Sequence, residues 1–323
     1  MAIPYNTTSA GVSVRDALRH SSIKVGNTWQ HYEDVQVKHS GSWRDVKEVH
    51  VKSGGSWRLV HEGEHFLFNA TLNSNSQGEW SLSSHISGLG YGGNKIKGLV
   101  TLSGSITRRQ VNLGNFSSDS LIYLRLETGN RIQSQGGNGG NVGNNGTNGQ
   151  RALYTRTNFV LDNAGMIAGG GGGGSGGNNS NYSYEVQQAY GCQKGSTCYR
   201  QQTITEFIPG GGGGGGAGYP NSSGGQGGSN SYNGAGGQFN SRGSGGDAAS
   251  GGTSNAGGDG GNLGQNGQDT SGGGSPGSSG TAIDGWSYRT NVSGNNDGDI
   301  RGPKVNYNNA RLNTSTHICG KKL

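Results

Sequence analysis

Gly169-Gly170-Gly171-Gly172-Gly173-Gly174 and Gly210-Gly211-Gly212-Gly213-Gly214-Gly215-Gly216 are two runs that carry no side chain at all. Around the second run the glycine keeps a period. Of the 22 positions reached by taking every third residue from 210 to 273, fifteen are glycine, against 13 of the other 42. Upstream, Gly137, Gly140, Gly143, Gly146 and Gly149 hold the same triplet register. A flexible glycine/serine linker has no reason to keep a period of three across turns. Collagen has the period but needs abundant proline, and the 323 residues contain five.

A helix of three residues per turn and about 3.1 Å rise makes no internal hydrogen bonds, so every backbone donor and acceptor points outward. Such helices become stable side by side, bonded to one another, only where no Cβ intervenes. Sequence then encodes position: a helix surrounded on all sides must be all glycine, which suits 169–174 and 210–216, while an outer helix carries side chains on its free faces. Ordering glycine is entropically costly and a net hydrogen bond returns only about 1 kcal/mol, so dense packing and anchored ends are required. The interruptions of the register, Tyr219, Ser222, Ser231, Asn240, Ala249, Asn255 and Thr270, read as corners.

The longest interruption, 178–209, is rich in aromatics. Tyr182-x-Tyr184-x-Val186 and Tyr199-x-Gln201-x-Thr203 alternate as in a hairpin. Cys192 and Cys198 flank its tip around Lys194 and are expected to close a small disulfide loop, with Cys319 left over. Tyrosine-rich loops flanked by Ser, Gly and Asn resemble paratopes. Tyr182, Tyr184, Tyr190, Lys194, Tyr199 and Phe207 are therefore candidate receptor contacts; a structural flap is the plainer alternative. If consecutive helices run up and down, Tyr232 joins the same end, and Tyr219 and Phe239 face the other.

The first 67 residues repeat. Trp29, Trp43 and Trp57 are fourteen apart, each after a Gly-containing turn and near alternating valines such as Val35-x-Val37 and Val49-x-Val51. Three hairpins are expected, their tryptophans either filling a small core or forming a docking surface. Residues 68–135 contain β-rich runs at Leu99–Ile106 and Leu121–Leu126. The expected fold is mainly β with a glycine-rich bundle: an N-terminal β-hairpin attachment domain (1–67), a β base (68–135), a polyglycine II helix sandwich (136–280), and a C-terminal return segment and tail (281–323).

Net charge is +6, yet residues 161–280 carry −3, which argues against tracking a phosphate backbone there. The start, Met1-Ala2-Ile3-Pro4-Tyr5, reads as neither leader nor anchor, and no stretch is apolar enough to span a bilayer, so synthesis in the host cytoplasm and no membrane insertion are expected. His61-Glu62-Gly63-Glu64-His65 matches a zinc-protease signature, which requires both histidines on one helical face; a central glycine and flanking strands speak against it. No glycine run ends in Gly-Lys-Ser/Thr, and no carboxylate pair suggests a depolymerase. No catalytic residue, metal or cofactor is expected.

The triplets followed by Asn163-Ala164-Gly165-Met166-Ile167-Ala168-Gly169, and the closing Gly280-Thr281-Ala282-Ile283-Asp284-Gly285 with Gly298-Asp299-Ile300-Arg301-Gly302, resemble the distal tail-fibre adhesins of T-even-type phages over roughly 130–302. The resemblance implies a virion protein whose far-end loops touch an outer-membrane receptor and whose amino-terminal domain caps a trimeric fibre protein; the threefold hairpin repeat, which the resemblance does not cover, suggests Trp29, Trp43 and Trp57 as the anchors. The rival reading is a non-catalytic structural or ice-binding glycine-helix protein. A flat ice-binding face would repeat one side-chain type, whereas the outward residues here mix Asn, Ser, Gln and Asp.

Overall fold

The structure, a computed structural model, describes residues 22–25, 28–31, 36–45, 48–53, 56–62, 65–93, 95–191, 197–227, 231–249, 256–270, 272–291 and 296–306. It is mainly β. Among the described residues the helical elements are α1 (Leu82–Ser87) and a single 3₁₀ turn (Trp286–Tyr288).

Three antiparallel hairpins come first: β1 (Ser22–Val25) with β2 (Thr28–His31), β3 (Gln36–His39) with β4 (Ser42–Asp45), and β5 (Glu48–Ser53) with β6 (Ser56–Glu62). Their registers are equivalent, because Lys24 faces Trp29, Lys38 faces Trp43 and Lys52 faces Trp57. The second hairpin turns through Ser40 and Gly41, at φ 50° and 83°. Positive φ at both central residues matches the twist of the flanking strands.

The base is a coil of parallel strands. β7 (His65–Leu72), β9 (Lys95–Leu102), β11 (Leu121–Leu126) and β14 (Asn158–Asn163) lie side by side in one sheet. After each, the chain turns into a second parallel sheet through β8 (Ser76–Ser81), β10 (Thr107–Asn112), β12 (Arg131–Gln133) and β15 (Met166–Ala168). β13 (Leu153–Tyr154), β18 (Ile283–Asp284), β19 (Asp299–Arg301) and β20 (Lys304–Val305) complete that sheet. Between the sheets, Phe68, Val100, Leu102, Ile122, Leu124, Ile132, Phe159 and Ile167 form a continuous core. Burying each such side chain contributes roughly 1.5–3 kcal/mol. Parallel pairing requires a return path between strands; here the second sheet supplies it in place of crossover helices.

The glycine tract forms ten extended segments among the described residues, joined by backbone hydrogen bonds that advance in steps of three. We number them g1 (135–142), g2 (144–150), g3 (169–177), g4 (210–218), g5 (222–227), g6 (232–238), g7 (241–249), g8 (256–262), g9 (265–270) and g10 (274–280). Two are enclosed. Segment g3 bonds to g1 (Gly137 N to Gly171 O), g2 (Gly173 N to Thr147 O), g4 (Gly171 N to Ala217 O), g8 (Gly261 N to Gly172 O), g9 (Gly172 N to Gln265 O) and g10 (Gly277 N to Gly173 O). Segment g4 bonds to g1, g3, g5, g6, g7 and g8 in the same manner.

These two inner segments are the all-glycine runs, for the steric reason that sequence implies: a Cβ on Gly173 would overlap the carbonyl of Asn138, and one on Gly213 that of Gly174. Their two side chains sit near the ends. Ser175 is buried and hydrogen-bonds across to Thr270, while Ala217 packs with Met166, Ala168 and Leu263.

Outer segments use asparagine to satisfy one another. Asn138 and Asn141 accept the N–H groups of Ser223 and Gln226, and Asn145 and Asn148 accept those of Ser275 and Ser278. The three-residue spacing of these asparagines is the spacing of the donors they meet.

Corners are not confined to interruptions of the register. The unbroken triplet from 137 to 149 is two antiparallel segments joined by a turn at Val142-Gly143, with Thr147 N bonded to Asn138 O and Gln150 N to Gln135 O. Gly143 has φ +69° and Asn144 N bonds back to Asn141 O. Leu263-Gly264 repeats the geometry, with φ +71° and Gln265 N bonded to Asn262 O. Glycine at the third position of such a turn keeps the triplet register intact, so the period hides the reversal. Ser222 likewise begins g5, and its buried hydroxyl donates to Gly216 O; Asn255 lies outside the described residues.

Sheet and bundle share one register. Ser134, Gly137 and Gly140 donate to Ala168, Gly171 and Gly174, each acceptor 34 positions after its donor. Ala152, Gly149 and Gly146 donate to Thr281, Ser278 and Ser275, each 129 positions on. The apolar core of the base therefore fixes the alignment of segments that have no apolar core of their own.

Candidate functional site

Segments g1, g3, g5, g7 and g9 run away from the base, and the even-numbered ones return to it. Turns at 219–221, 239–240 and 263–264 consequently lie at the base, whereas g1 and g2, g3 and g4, g5 and g6, g7 and g8, and g9 and g10 meet their partners' ends on the far side. Tyr219 and Phe239 are on the base side, edge to face at 5.8 Å, with the Arg131 guanidinium 5.1 Å over Phe239. There they wedge the turns against β12.

The far-end insertion is the hairpin β16 (Ser180–Gly191) and β17 (Thr197–Ile208). Residues 181–190 and 197–207 include none that is buried. Tyr182, Tyr190, Tyr199 and Phe207 are 44%, 53%, 64% and 64% exposed. Pairing places Tyr182, Tyr184 and Tyr190 on one face and Tyr199 and Phe207 on the other. On the first face Tyr182 and Tyr184 stack at 5.7 Å, and the Tyr184 hydroxyl donates to Glu206 at 2.9 Å. That hydrogen bond to a carboxylate pushes the Tyr184 hydroxyl above its ordinary range. On the other face Ser183 and Thr205 share a hydroxyl bond of 2.8 Å. Cys198 is disulfide-bonded; Cys192 and Lys194 lie outside the described residues.

Tyr232 also reaches the far end, at the start of g6, and is 67% exposed. Its carbonyl accepts from Gly212 and its N–H donates to the Asp247 carbonyl, so its backbone is held on both sides while the ring stays exposed. The hairpin aromatics and Tyr232 are thus brought to one end, far from the tryptophan hairpins in sequence. Of the tryptophans, Trp43 is 66% exposed, with Lys38 Nζ 6.0 Å from its ring; Trp29 and Trp57 occupy equivalent strand positions. His61 and His65 lie on β6 and β7 rather than on one helix, and His65 Nε2 meets Asp119 O at 3.2 Å.

The base carries aromatic–cation stacks that sequence reading passed over. Arg151 and Arg156 stand 4.4 and 4.5 Å from the centre of the Tyr154 ring, and Arg289 and Lys304 stand 4.9 and 4.5 Å from that of Trp286. Asp284 holds both arginines of the first stack. Arginine three residues before Tyr154 and another two residues after it were the available signal.

A family model described as phage tail fibre adhesin Gp38 matches residues 68–305. No curated protein matches the chain significantly. Among solved structures, the gp37–gp38 adhesin tip complex of the bacteriophage S16 long tail fibre is similar, with 20% identity and a TM-score of 0.43 over 76% of this chain and 84% of that one.

Proposed function

The chain belongs to the phage tail fibre adhesin Gp38 family, and from that membership we propose that it is the tip adhesin of a tail fibre, a virion protein that binds a host cell-surface receptor and so starts host recognition. The glycine segments act as a polyglycine II sandwich, a rigid non-catalytic scaffold. Its far-end loops make the contact, with Tyr182, Tyr184, Tyr190, Tyr199, Phe207 and Tyr232 as the binding residues. An outer-membrane protein suits these residues better than a polysaccharide. The observation that carries the reading is the collection of solvent-exposed aromatics at one end of a bundle whose other end is packed into the base. Rigid aromatic side chains bury large areas at low entropic cost.

The three equivalent Lys–Trp hairpins, which precede the base in sequence, attach to a trimeric tail-fibre protein. Three copies of one feature suit three copies of a partner, and the exposure of Trp43 supports docking over a private core.

Labelled protein should bind saturably to some member of a panel of Gram-negative cells, and a variant with Tyr182–Phe207 replaced by a short Gly-Ser loop should not. Binding to no cell type by folded protein would overturn the adhesin reading. Replacing Trp29, Trp43 and Trp57 with Ala should abolish fibre attachment while leaving cell binding intact.

A further inference from the structure

We infer that the shaft of the β16–β17 hairpin enters a recess in a folded protein at the cell surface, and that the wall of the recess meets both faces of the hairpin. The inference rests on the adhesin reading above and adds the shape of the site.

The hairpin is a direct extension of the two enclosed segments. Gly171 N bonds to Ala217 O, Gly174 N to Gly214 O and Gly177 N to Gly211 O, and position numbers in each pair total 388. In the hairpin, Ser180 faces Ile208, Tyr184 faces Ile204 and Gly191 faces Thr197, with the same total. One antiparallel register thus runs from the middle of the bundle to the end of the shaft, bridged at the junction by the Asn179 side chain, which accepts from Gly210 N. Twelve residues per strand extend roughly 40 Å at about 3.3 Å each. An isolated two-stranded sheet is marginal in water; this one is held at its root by g3 and g4, which eight other segments enclose.

Aromatics line the shaft on both faces and at both ends. Tyr182 and Phe207 lie near the root on opposite faces, as do Tyr190 and Tyr199 near the tip. A flat receptor meets only the tip and leaves the root residues in water. A wall surrounding the shaft is the geometry that uses all of them, as long loops do when they insert into concave sites. The segment 178–209 carries Glu185, Lys194, Arg200 and Glu206, a net charge of zero. A polyanionic saccharide layer has no charge to attract it there, which favours a recess lined by apolar and hydrogen-bonding groups of a protein.

The test shortens the shaft and keeps its aromatics. In the full chain, Glu185–Gln188 and Arg200–Thr203 are deleted together. These four residues per strand face one another, so register, facing and tip are retained while the shaft loses roughly 13 Å. Saturation binding is measured on cells that the wild-type protein binds. The recess predicts a loss of at least about 100-fold. Wild-type affinity in the shortened form, with none in the form lacking Tyr182–Phe207, would place the contact at the tip and overturn the recess while leaving the adhesin reading standing. Two surface substitutions guard against a folding artefact: Tyr182→Ala and Phe207→Ala should each weaken binding at least about tenfold, with unchanged unfolding midpoints. If neither changes affinity, the recess is excluded.

Discussion

Arg125 and Asp162 face each other across β11 and β14, with Nε 2.9 Å from Oδ2 and side chains only 9% and 12% exposed. This is the ion pair that the parallel base buries most deeply among those described. Taking two charges out of water is costly, and the pair offsets that cost only while both partners remain. Asp162→Ala should therefore destabilise the protein by about 3–5 kcal/mol, whereas Arg125→Met with Asp162→Leu should be near neutral. Chemical denaturation of the two variants checks this; equal losses would mean that the charges do not act as a pair.

Gly173→Ala should disrupt the bundle, because the added Cβ overlaps the Asn138 carbonyl of g1, backbone that is itself bonded to g2, g3, g4 and g5. Gly92→Ala meets nothing within 4 Å and should change stability by no more than about 0.5 kcal/mol. Amide hydrogen exchange separates the effects: Gly173→Ala should expose amides of g1 to g10 while those of β9 and β11 stay protected. Loss of protection in both would show that the base needs the bundle.

Much of this organisation is legible in sequence because glycine reports directly on what surrounds it. The two unbroken runs are the two enclosed segments, and counting reversals puts Tyr232 with the hairpin and Tyr219 with Phe239. Legibility fails where a residue serves two geometries. Gly143 and Gly264 satisfy the triplet while turning the chain, so the phrases Asn141-Val142-Gly143-Asn144 and Asn262-Leu263-Gly264-Gln265 were the better guide. The parallel pairing of β7, β9, β11 and β14 was also hidden, since an alternating run has no direction. Nor does composition indicate that the hairpin inherits the register of g3 and g4; that follows from which carbonyl each glycine meets.

Asn145 and Asn148 hold the outer edge of the bundle by accepting from Ser275 and Ser278 at 2.7 and 2.8 Å. Replacing both with Ala removes two acceptors and should cost about 1–3 kcal/mol, at about 0.5–1.5 each. Replacing both with Asp retains an acceptor oxygen and should recover most of the loss. Exchange of the Ser275 and Ser278 amides is the local readout: faster in the Ala form, restored in the Asp form.

In the proposed role, the register that joins hairpin to bundle also sets how a tug on the hairpin would be borne. Force along the shaft pulls g3 and g4 lengthwise past their neighbours, loading many hydrogen bonds at once in shear instead of peeling them singly. From g3 the load passes straight into β15, the strand that precedes it, and so into the apolar base. In the proposed role, a particle swinging on its fibre would strain its grip through the two enclosed segments and the apolar base.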